Sequence, residues 1–585
     1  MPKLFSSYFR SSLAVAAGFS LSIATAAAVE PPAPEAASGW TDKKSATAQQ
    51  FMVAAAHPLA VQTGYNVLKR GGTAVDAAIA VQFMLNLVEP QSSGIGGGAF
   101  MLYWDAEQRT LSTFDGRETA PGAATPAYFL NANGEPKEWW DAVIGGRSVG
   151  VPGTLKLLDL AHQWHGTLPW PELVQPAIDR AEQGFNITPR LAQSIANAEG
   201  LDRYEATRAY FFDSDGVPLN AGYLLKNPAF AETLRRVAQR RSDALYRGPL
   251  AQEIVDTVAT TEDNPGVLTT TDFEAYRVKV RDPVCTPYRR YTVCGMGPPT
   301  SGGLTIAQIL GMLSHFDMPG IGYGVDSVHL FSEAAKLAYA DRGLYMADND
   351  FVRMPVAGLI DPSYLTYRAQ LIDRNSAMGE AEPGNPPWLD ARLWAPDDQR
   401  EFPGTSHFSI VDRYGNALSM TTTIENGFGS RLMAGGFLLN NELTDFSFRP
   451  ERDGRPVANR VEAGKRPRSS MSPTIVFNSS GDPHLLIGSP GGSRIINYVA
   501  KTLVAVLDWH WDLQDAINLG HFSNRNGATD LEAGTQAATL KDALTERGHE
   551  VNVRDLNSGL HGILIQDGKM LGGADPRREG VVMGD

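Results

Sequence analysis

The chain has 585 residues, of which 43% are hydrophobic and 20% are charged, a composition typical of a globular enzyme with a sizeable core. Its formal net charge of -14 favours solubility and argues against nucleic acid or an anionic membrane surface as a partner. We see no basic block interleaved with aromatic residues, which also argues against nucleic acid.

The first 28 residues have the pattern of a secretory signal peptide. Lys3 and Arg10 precede an apolar stretch at residues 13–23, and small residues follow up to Ala28, where we predict cleavage. An uncleaved membrane anchor is the alternative, but the apolar stretch is short for a bilayer span. We therefore predict a periplasmic or secreted protein without a membrane span after signal removal. Residues 29–48 are rich in Pro, Ala and Ser, and we predict that they are disordered.

Helical periodicity dominates the first two thirds of the remaining chain. Apolar residues at three- and four-residue spacing predict helices at residues 58–69, 74–87, 153–162, 171–182, 325–345 and 361–372. Strand-like segments occur at residues 98–104, 110–115, 278–282 and 291–296.

The two cysteines of the chain flank a predicted hairpin. Cys285 and Cys294 lie on either side of Pro287-Tyr288-Arg289-Arg290. In an exported protein a disulfide between them is expected, with two buried free thiols as the alternative. Their spacing of nine positions is not that of a metal site, and we predict no metal site and no cofactor.

Residues 375–404 are rich in Pro, Gly and acidic residues and show little periodicity, which predicts a loop. Beyond it, strands are predicted at residues 436–440, 473–477, 484–488 and 561–566, and helices at residues 495–507, 512–519 and 540–547. Helices and strands in this mixed order favour a layered α/β sandwich.

The most informative segment runs from residue 404 to residue 423. It predicts two strands joined by a three-residue loop that ends at Gly415, which would place Thr405 opposite Thr423. Directly opposed side chains lie about 5 Å apart, so the two hydroxyls can meet. A threonine at a strand start, preceded by Gly404 and supported by a second hydroxyl, indicates a nucleophile created by self-cleavage at Gly404-Thr405. Its freed α-amine, with a reference pKa of about 7.7–8, would serve as the base.

Further motifs lie before and after this segment. They are Gly71-Gly72-Thr73-Ala74-Val75-Asp76-Ala77-Ala78, Glu89-Pro90-Gln91-Ser92-Ser93-Gly94-Ile95-Gly96-Gly97-Gly98, Asp115-Gly116-Arg117-Glu118-Thr119-Ala120-Pro121, Leu439-Asn440-Asn441-Glu442-Leu443-Thr444-Asp445-Phe446, Arg466-Pro467-Arg468-Ser469-Ser470-Met471-Ser472-Pro473, Gly488-Ser489-Pro490-Gly491-Gly492-Ser493-Arg494 and Ala574-Asp575-Pro576-Arg577-Arg578-Glu579-Gly580. With these motifs the chain resembles the gamma-glutamyltranspeptidases (glutathione hydrolases) over roughly residues 50–585.

The resemblance implies the four-layer αββα sandwich of N-terminal-nucleophile hydrolases. It implies that self-cleavage yields a large subunit (residues 49–404) and a small subunit (residues 405–585), which form one domain and stay together as a heterodimer. The implied activity is removal of the gamma-glutamyl group from glutathione and related gamma-glutamyl compounds. Water, an amino acid or a dipeptide would then accept the group.

The resemblance also assigns roles to residues of the site. Thr423 resembles the threonine that hydrogen-bonds the nucleophile, and Gly491 and Gly492 resemble the glycines of an oxyanion hole, although from sequence alone they could simply form a turn. Two further groups would hold the amino-acid end of the donor. Its α-carboxylate would meet Arg117, Ser469 and Ser470, and its ammonium would meet Glu425, Glu442 and Asp445.

The sequence departs from the family pattern in two places. Some members have Asn at the position of Glu425, so donor preference is expected to differ from theirs. The segment between Asp445 and Ser469 holds no aromatic residue after Phe448, unlike the tyrosine-bearing lid of some relatives. We expect a more open pocket as a result.

Two other functions fit parts of the pattern. One is a related acylase of the same fold that acts on glutaryl-type amides such as cephalosporin side chains. Such donors lack the α-ammonium, so the three acidic residues disfavour this reading. The other is an inactive secreted binding protein, which the intact threonines and glycine pair disfavour.

Overall fold

Two seven-stranded sheets form the centre of the computed structural model, which describes residues 37, 39–387, 394–397 and 404–585. The predicted signal peptide lies outside the described residues. In spatial order, the first sheet contains Ala46–Ala48, Lys569–Ala574, His561–Gln566, Pro483–Gly488, Thr474–Phe477, Tyr291–Gly295 and Val284–Tyr288. The second contains Val581–Gly584, Met52–Ala55, Thr405–Val411, Ala417–Thr423, Gly98–Asp105, Thr110–Gly116 and Lys279–Arg281.

Every pairing within these two sheets is antiparallel. Short additional strands form smaller sheets: Phe185–Asn186 with Leu224–Leu225, Met433–Ala434 with Phe437–Leu438, Glu451–Arg452 with Arg455–Pro456, and Phe522–Asn524 with Thr529–Glu532 and Val551–Arg554.

The helices form the two outer layers. The α-helices are Pro58–Lys69, Ala74–Val88, Trp139–Val143, Thr154–His165, Trp170–Gln183, Pro189–Asn197, Glu205–Phe211, Pro228–Arg240, Asp243–Tyr246, Pro249–Ala259, Thr270–Ala275, Gly302–Leu313, Met318–Ile321, Val325–Tyr345, Val356–Leu359, Pro362–Ala369, Ile495–Leu507, Leu513–Asn518 and Lys541–Glu546. Short 3-10 helices occur at Gly146–Ser148, Glu442–Asp445, Gly492–Arg494 and Gln536–Leu540. None of the described helices is long and apolar enough to cross a membrane.

Alternation along the central strands explains the layering. Val53 and Ala55 belong to a core shared with the helices of residues 58–88, whereas Met52 and Ala54 belong to a core shared with the first sheet. Successive side chains of a strand point to opposite faces, so each strand of the second sheet contributes to both cores. The result is the predicted four-layer αββα sandwich, with helix 302–313 and helix 495–507 covering the first sheet.

Most predicted elements are confirmed within a few residues. The helices at 58–69, 325–345 and 495–507 and the strand at 561–566 have the predicted bounds. The predicted strand at 436–440 is reduced to Phe437–Leu438. The expected disulfide between Cys285 and Cys294 is formed, and it joins directly paired residues of neighbouring strands.

The structure differs from the prediction of disorder at the end of residues 29–48. The backbone N–H of Thr41 donates to Pro576 O at 2.8 Å, and Lys43 Nζ donates to Gly580 O at 2.9 Å. Ala46–Ala48 then pairs with the strand Lys569–Ala574 as the edge of the first sheet. Composition misleads here because the order comes from backbone pairing with a segment more than 500 positions away.

Candidate active site

The strand pair Thr405–Val411 and Ala417–Thr423, here called the Thr405 hairpin, lies in the middle of the second sheet. Gly415 has φ 85°, and the backbone N–H of Asp412 donates to Asn416 O at 3.0 Å. This closes the predicted three-residue loop, because glycine adopts the left-handed region without steric strain. The predicted register is confirmed, with Thr405 directly opposite Thr423.

The two threonine hydroxyls form a chain of hydrogen bonds that ends at the Gly404–Thr405 peptide bond. Thr405 Oγ1 donates to Thr423 Oγ1 at 3.2 Å, and Thr423 Oγ1 donates to the carbonyl oxygen of Gly404 at 2.6 Å. The backbone N–H of Glu425 in turn donates to Thr423 Oγ1 at 2.8 Å. The Thr423 hydroxyl therefore contacts both the candidate nucleophile, Thr405, and the Gly404 carbonyl that Thr405 would attack.

Gly404 occupies a position without space for a side chain. A Cβ atom there would lie 2.4 Å from Glu425 O and 2.9 Å from the backbone nitrogen of Gly427. Both neighbours are backbone atoms, not the ends of flexible side chains, so they cannot move aside cheaply. The lone glycine before Thr405 is thus required by packing.

A cavity opens beside these hydroxyls and is lined by nine of the ten residues predicted for the site. Its volume is about 20 Å³, room for about one water molecule. The predicted residues at its wall are Arg117, Thr405, Thr423, Glu425, Glu442, Asp445, Ser469, Ser470 and Gly492, and Met471 and Ile495 complete it. Gly491, the tenth, adjoins Gly492 outside the wall.

Gly491 and Gly492 form the turn between strand Pro483–Gly488 and helix Ile495–Leu507. Their φ angles are 140° and 57°, and a Cβ on Gly491 would lie 2.7 Å from the Tyr498 ring. Glycine is needed at Gly491 both for the backbone angle and for the space. The turn presents backbone at the start of the helix, where N–H groups lack intrahelical partners and suit an anionic oxygen.

Arg117 follows the strand Thr110–Gly116 and is buried against two of the predicted acidic residues. Its guanidinium donates to Glu442 Oε1 and, at 2.5 Å, to Asp445 Oδ2. It also donates to the carbonyl oxygens of Pro467 and Arg468, at 3.2 and 2.8 Å. Burial alone lowers the pKa of Arg117, but the two carboxylates outweigh it, and the pKa is raised. The cation and the acids, predicted to meet opposite charges of a ligand, thus also bind each other.

Glu425 lies at the end of the Thr405 hairpin in a left-handed backbone conformation, with φ 74°. Its carboxylate accepts a hydrogen bond from the Asn441 side chain. Non-glycine residues adopt this region at an energetic cost and often do so at functional sites. The conformation turns the chain after Thr423 so that the Glu425 side chain reaches the cavity wall.

The structure adds Glu118, which the sequence analysis did not select. This side chain is fully buried, and Glu118 Oε2 lies 4.0 Å from Arg117 Nη1. Among the described residues, neither carboxyl oxygen has a hydrogen-bond partner. Burial, with a contribution from the nearby Glu442, raises the pKa of Glu118 well above its ordinary value, although Arg117 acts in the opposite direction. Its place in the motif beside Arg117 was the available signal.

The segment between Asp445 and Ser469, residues 446–468, packs onto the protein body. Phe446, Phe448 and Val461 join a core with Phe129, and Asn459 Nδ2 donates to Asp445 O at 2.7 Å. A pocket more open than that of the relatives with a tyrosine-bearing lid stays a prediction.

Within the described part of the chain, His329, Glu333 and His549 form a group with the ligand types and spacing of a metal site. Their polar atoms have other partners: His329 Nδ1 and His549 Nε2 are hydrogen-bonded at 2.7 Å, and Lys336 Nζ lies 3.0 Å from Glu333 Oε1. A hydrogen-bonded histidine pair and an ion pair therefore account for the group. None of the three lines the site cavity.

The αββα sandwich, with a threonine hydroxyl at the start of one central strand bonded to another at the end of its neighbour, defines the class of N-terminal-nucleophile hydrolases. The sequence profile of the gamma-glutamyltranspeptidase family matches residues 60–585, so the chain belongs to that family. This membership confirms the enzyme class that the sequence predicted.

Relatives match over nearly the whole chain. The glutathione hydrolase proenzyme of Bacillus subtilis (strain 168) is 38% identical over 549 residues, 91% of this chain and 91% of that protein. That of Escherichia coli (strain K12) is 37% identical over 585 residues, 97% of each. Among solved structures, cephalosporin acylase from Bacillus halodurans superposes with a TM-score of 0.82 at 28% identity, covering 93% of this chain and 97% of that chain.

Proposed function

We propose that the protein is an exported gamma-glutamyltransferase and glutathione hydrolase that activates itself by cleavage at Gly404-Thr405. The observation that carries this proposal is the hydrogen-bond chain from Thr405 Oγ1 through Thr423 Oγ1 to Gly404 O. The predicted signal peptide and the proenzyme names of the relatives support export and processing.

Self-cleavage begins when Thr405 Oγ attacks the carbonyl carbon of Gly404. Negative charge develops on Gly404 O, where the Thr423 hydroxyl already donates a hydrogen bond at 2.6 Å. The C–N bond then breaks, the nitrogen takes the proton lost by the hydroxyl, and an ester joins Gly404 to Thr405. Water hydrolyses this ester, which leaves a carboxylate on Gly404 and a free α-amine on Thr405.

Cleavage also enlarges the site. In the uncleaved chain the cavity has room for about one water molecule, which is enough for ester hydrolysis but too small for a glutamyl group. Gly404 packs against the backbone of residues 425–427 beside the cavity, so its departure opens the space next to Thr405. The two chains remain associated because both central sheets contain strands from each side of the cleavage point.

In turnover the α-amine of Thr405 accepts the proton of its own hydroxyl, and Oγ attacks the gamma-carbonyl of the donor. Thr423 and the backbone at Gly491 and Gly492 stabilise the resulting oxyanion. The amine of the leaving group takes the proton, and a gamma-glutamyl ester remains on Thr405. Water completes hydrolysis, whereas an amino acid or dipeptide amine completes transfer.

The donor's amino-acid end binds across the cavity. Glu425, Glu442 and Asp445 meet the ammonium, and Arg117, Ser469 and Ser470 meet the carboxylate. When the ammonium arrives, it competes for the carboxylates that now bind Arg117, and this releases part of the guanidinium for the donor's carboxylate. Because three carboxylates surround the place of the ammonium, the site favours donors that carry one.

The decisive test combines fragment analysis with an assay. The purified parent should yield a fragment that begins at Thr405, and it should release aniline from a gamma-glutamyl anilide, faster when glycylglycine is present. Thr405→Ala should show neither fragment nor release. Anilide hydrolysis by an unfragmented parent would contradict the proposal.

The second candidate is an acylase for glutaryl-type amides, which the superposition on cephalosporin acylase from Bacillus halodurans favours. A glutaryl anilide separates the two, since it differs from the gamma-glutamyl anilide only by the missing ammonium. Higher kcat/KM on the glutaryl substrate would favour the acylase.

A further inference from the structure

We propose that Arg342, which lies outside the family motifs described above, is a positioning residue that sets the specificity for the donor's α-carboxylate. The inference rests on the proposed function and extends it to a second cation on the serine side of the site. Arg342 belongs to the helix Val325–Tyr345 and is 6% exposed. Its guanidinium also stacks over the Tyr339 ring, 5.7 Å from the ring centre.

The guanidinium reaches both serines of the site, Ser470 directly and Ser469 through Ser301. Arg342 Nη2 donates to Ser470 Oγ at 2.7 Å, and Arg342 Nε donates to Ser301 Oγ at 2.8 Å. Ser301 passes the contact on, because its hydroxyl donates to Ser469 O at 2.7 Å and its backbone N–H donates to the same oxygen at 2.8 Å. One arginine therefore fixes both the backbone at Ser469 and the side chain of Ser470.

These bonds have a defined direction. A guanidinium only donates, so Ser470 Oγ must accept from Arg342, and its own hydrogen is directed to a different acceptor. A carboxylate in the site cavity, whose wall includes Ser470, is an acceptor of this kind. The positive charge of Arg342 strengthens the Ser470 hydroxyl as a donor, because hydrogen bonds in a chain polarise one another.

The charges around the cavity give Arg342 its importance. Arg117, the cation predicted from the sequence, is bonded to Glu442 and Asp445, which offset its charge. Arg342 lies behind the part of the wall that Ser469 and Ser470 form: it donates to the Ser470 hydroxyl directly and reaches Ser469 O through Ser301. An amino acid entering the cavity thus meets carboxylates at Glu442 and Asp445 on one side and, on the other, the Ser470 hydroxyl bonded to a guanidinium, which orients its carboxylate toward Ser470.

The test compares two donors that differ only in the carboxylate. Gamma-glutamyl anilide carries it, whereas 4-aminobutyryl anilide keeps the ammonium, the chain length and the scissile amide but lacks it. We expect Arg342→Lys to lower kcat/KM for gamma-glutamyl anilide by about 10- to 100-fold, mainly through KM, because lysine cannot bond both serines at once. For 4-aminobutyryl anilide we expect a change below about twofold. If that substrate reacts too slowly, its inhibition constant against gamma-glutamyl anilide replaces kcat/KM.

Arg368→Lys is the matched control, since Arg368 is also buried but contacts Leu337 O and Asp341 instead of the serines. It should leave the ratio between the two donors unchanged. Self-cleavage shows that a variant has folded, and if Arg342→Lys does not cleave, Ser301→Ala tests the same contact with the same two donors. Equal losses on both donors, or no loss on either, would overturn the role of Arg342. Failure of the parent to turn over gamma-glutamyl anilide would instead overturn the proposed function.

Discussion

Thr423→Val removes the hydroxyl that is hydrogen-bonded to the Gly404–Thr405 peptide bond, and it keeps the shape of the side chain. The lost hydroxyl donates to Gly404 O at 2.6 Å and accepts from Thr405 Oγ1 at 3.2 Å. If charge develops on Gly404 O during self-cleavage, the variant lacks the donor that stabilises it. The strand itself should persist, because valine is well accommodated in a buried sheet.

The expected decrease in the rate of self-cleavage follows from the loss of one hydrogen-bond donor. Removing one donor to a developing oxyanion typically reduces the rate by about 10²–10³-fold, or about 2.7–4 kcal/mol in the barrier. The variant also leaves the backbone N–H of Glu425 without its present acceptor, which costs about 1–3 kcal/mol of stability for a buried group. We therefore expect slow self-cleavage together with a modest loss of thermal stability.

The assay follows newly purified precursor over time by gel and mass spectrometry, with the fragment that begins at Thr405 as the readout. Thr423→Ser should cleave at a rate within about tenfold of the parent because it restores the hydroxyl. Thr422→Val is the matched control: it lies one position away on the same strand, and among the described residues its buried hydroxyl has no hydrogen-bond partner. Parental cleavage rates in Thr423→Val would refute the role of this hydroxyl.

Three other perturbations have defined outcomes. Burial, aided by the charge of Arg190, lowers the pKa of His57 from about 6.5 to about 3. Below pH 6.5 the unfolded chain therefore binds a proton that the folded chain does not. The folded state loses stability as the pH is lowered, by about 2 kcal/mol at pH 5. His57→Asn keeps an acceptor for the Leu59 N–H and should therefore show a smaller drop in Tm between pH 7 and pH 5; an unchanged drop would assign the acid sensitivity elsewhere. Replacing Cys285 and Cys294 together by serine should lower the stability by at most about 2–3 kcal/mol, and a reductant should shift the parent's Tm toward that of the variant; a reductant without effect on the parent would contradict this. Asp445→Asn should raise the KM for gamma-glutamyl anilide by about 10- to 100-fold, because a charged hydrogen-bonding group is lost, and an unchanged KM would exclude Asp445 from donor binding.

The Thr405 hairpin shows how far local sequence carries the prediction. Its turn needs a left-handed residue, which Gly415 supplies, and the register then follows by counting outward to Thr405 and Thr423. Amphipathic helices such as Pro58–Lys69 were equally accessible, since their apolar spacing records which face is buried. These features depend on residues that are near each other in the chain.

Other elements left no such record. Helix Gly302–Leu313 is buried on all sides, so its sequence shows no polar face and no amphipathic period. Strand Met52–Ala55 has four buried apolar residues, a pattern too short to separate a strand from a helix. The sequence analysis predicted neither element, because burial on every side removes the alternation of apolar and polar residues from which helices and strands are predicted.

By itself the sequence determined the hairpin register. It also predicted Thr405 as the nucleophile and Gly404-Thr405 as the cleavage point and, through the family resemblance, nine of the residues at the cavity wall. Only the tertiary structure decided how those side chains pair: Arg117 binds the acids, Glu118 is buried beside it, and Arg342 reaches Ser470 from 128 positions away. The physical reason is range. Turn geometry and periodicity are set by neighbours in the chain, whereas ion pairs and buried hydrogen bonds join whichever groups the packing of distant elements brings together.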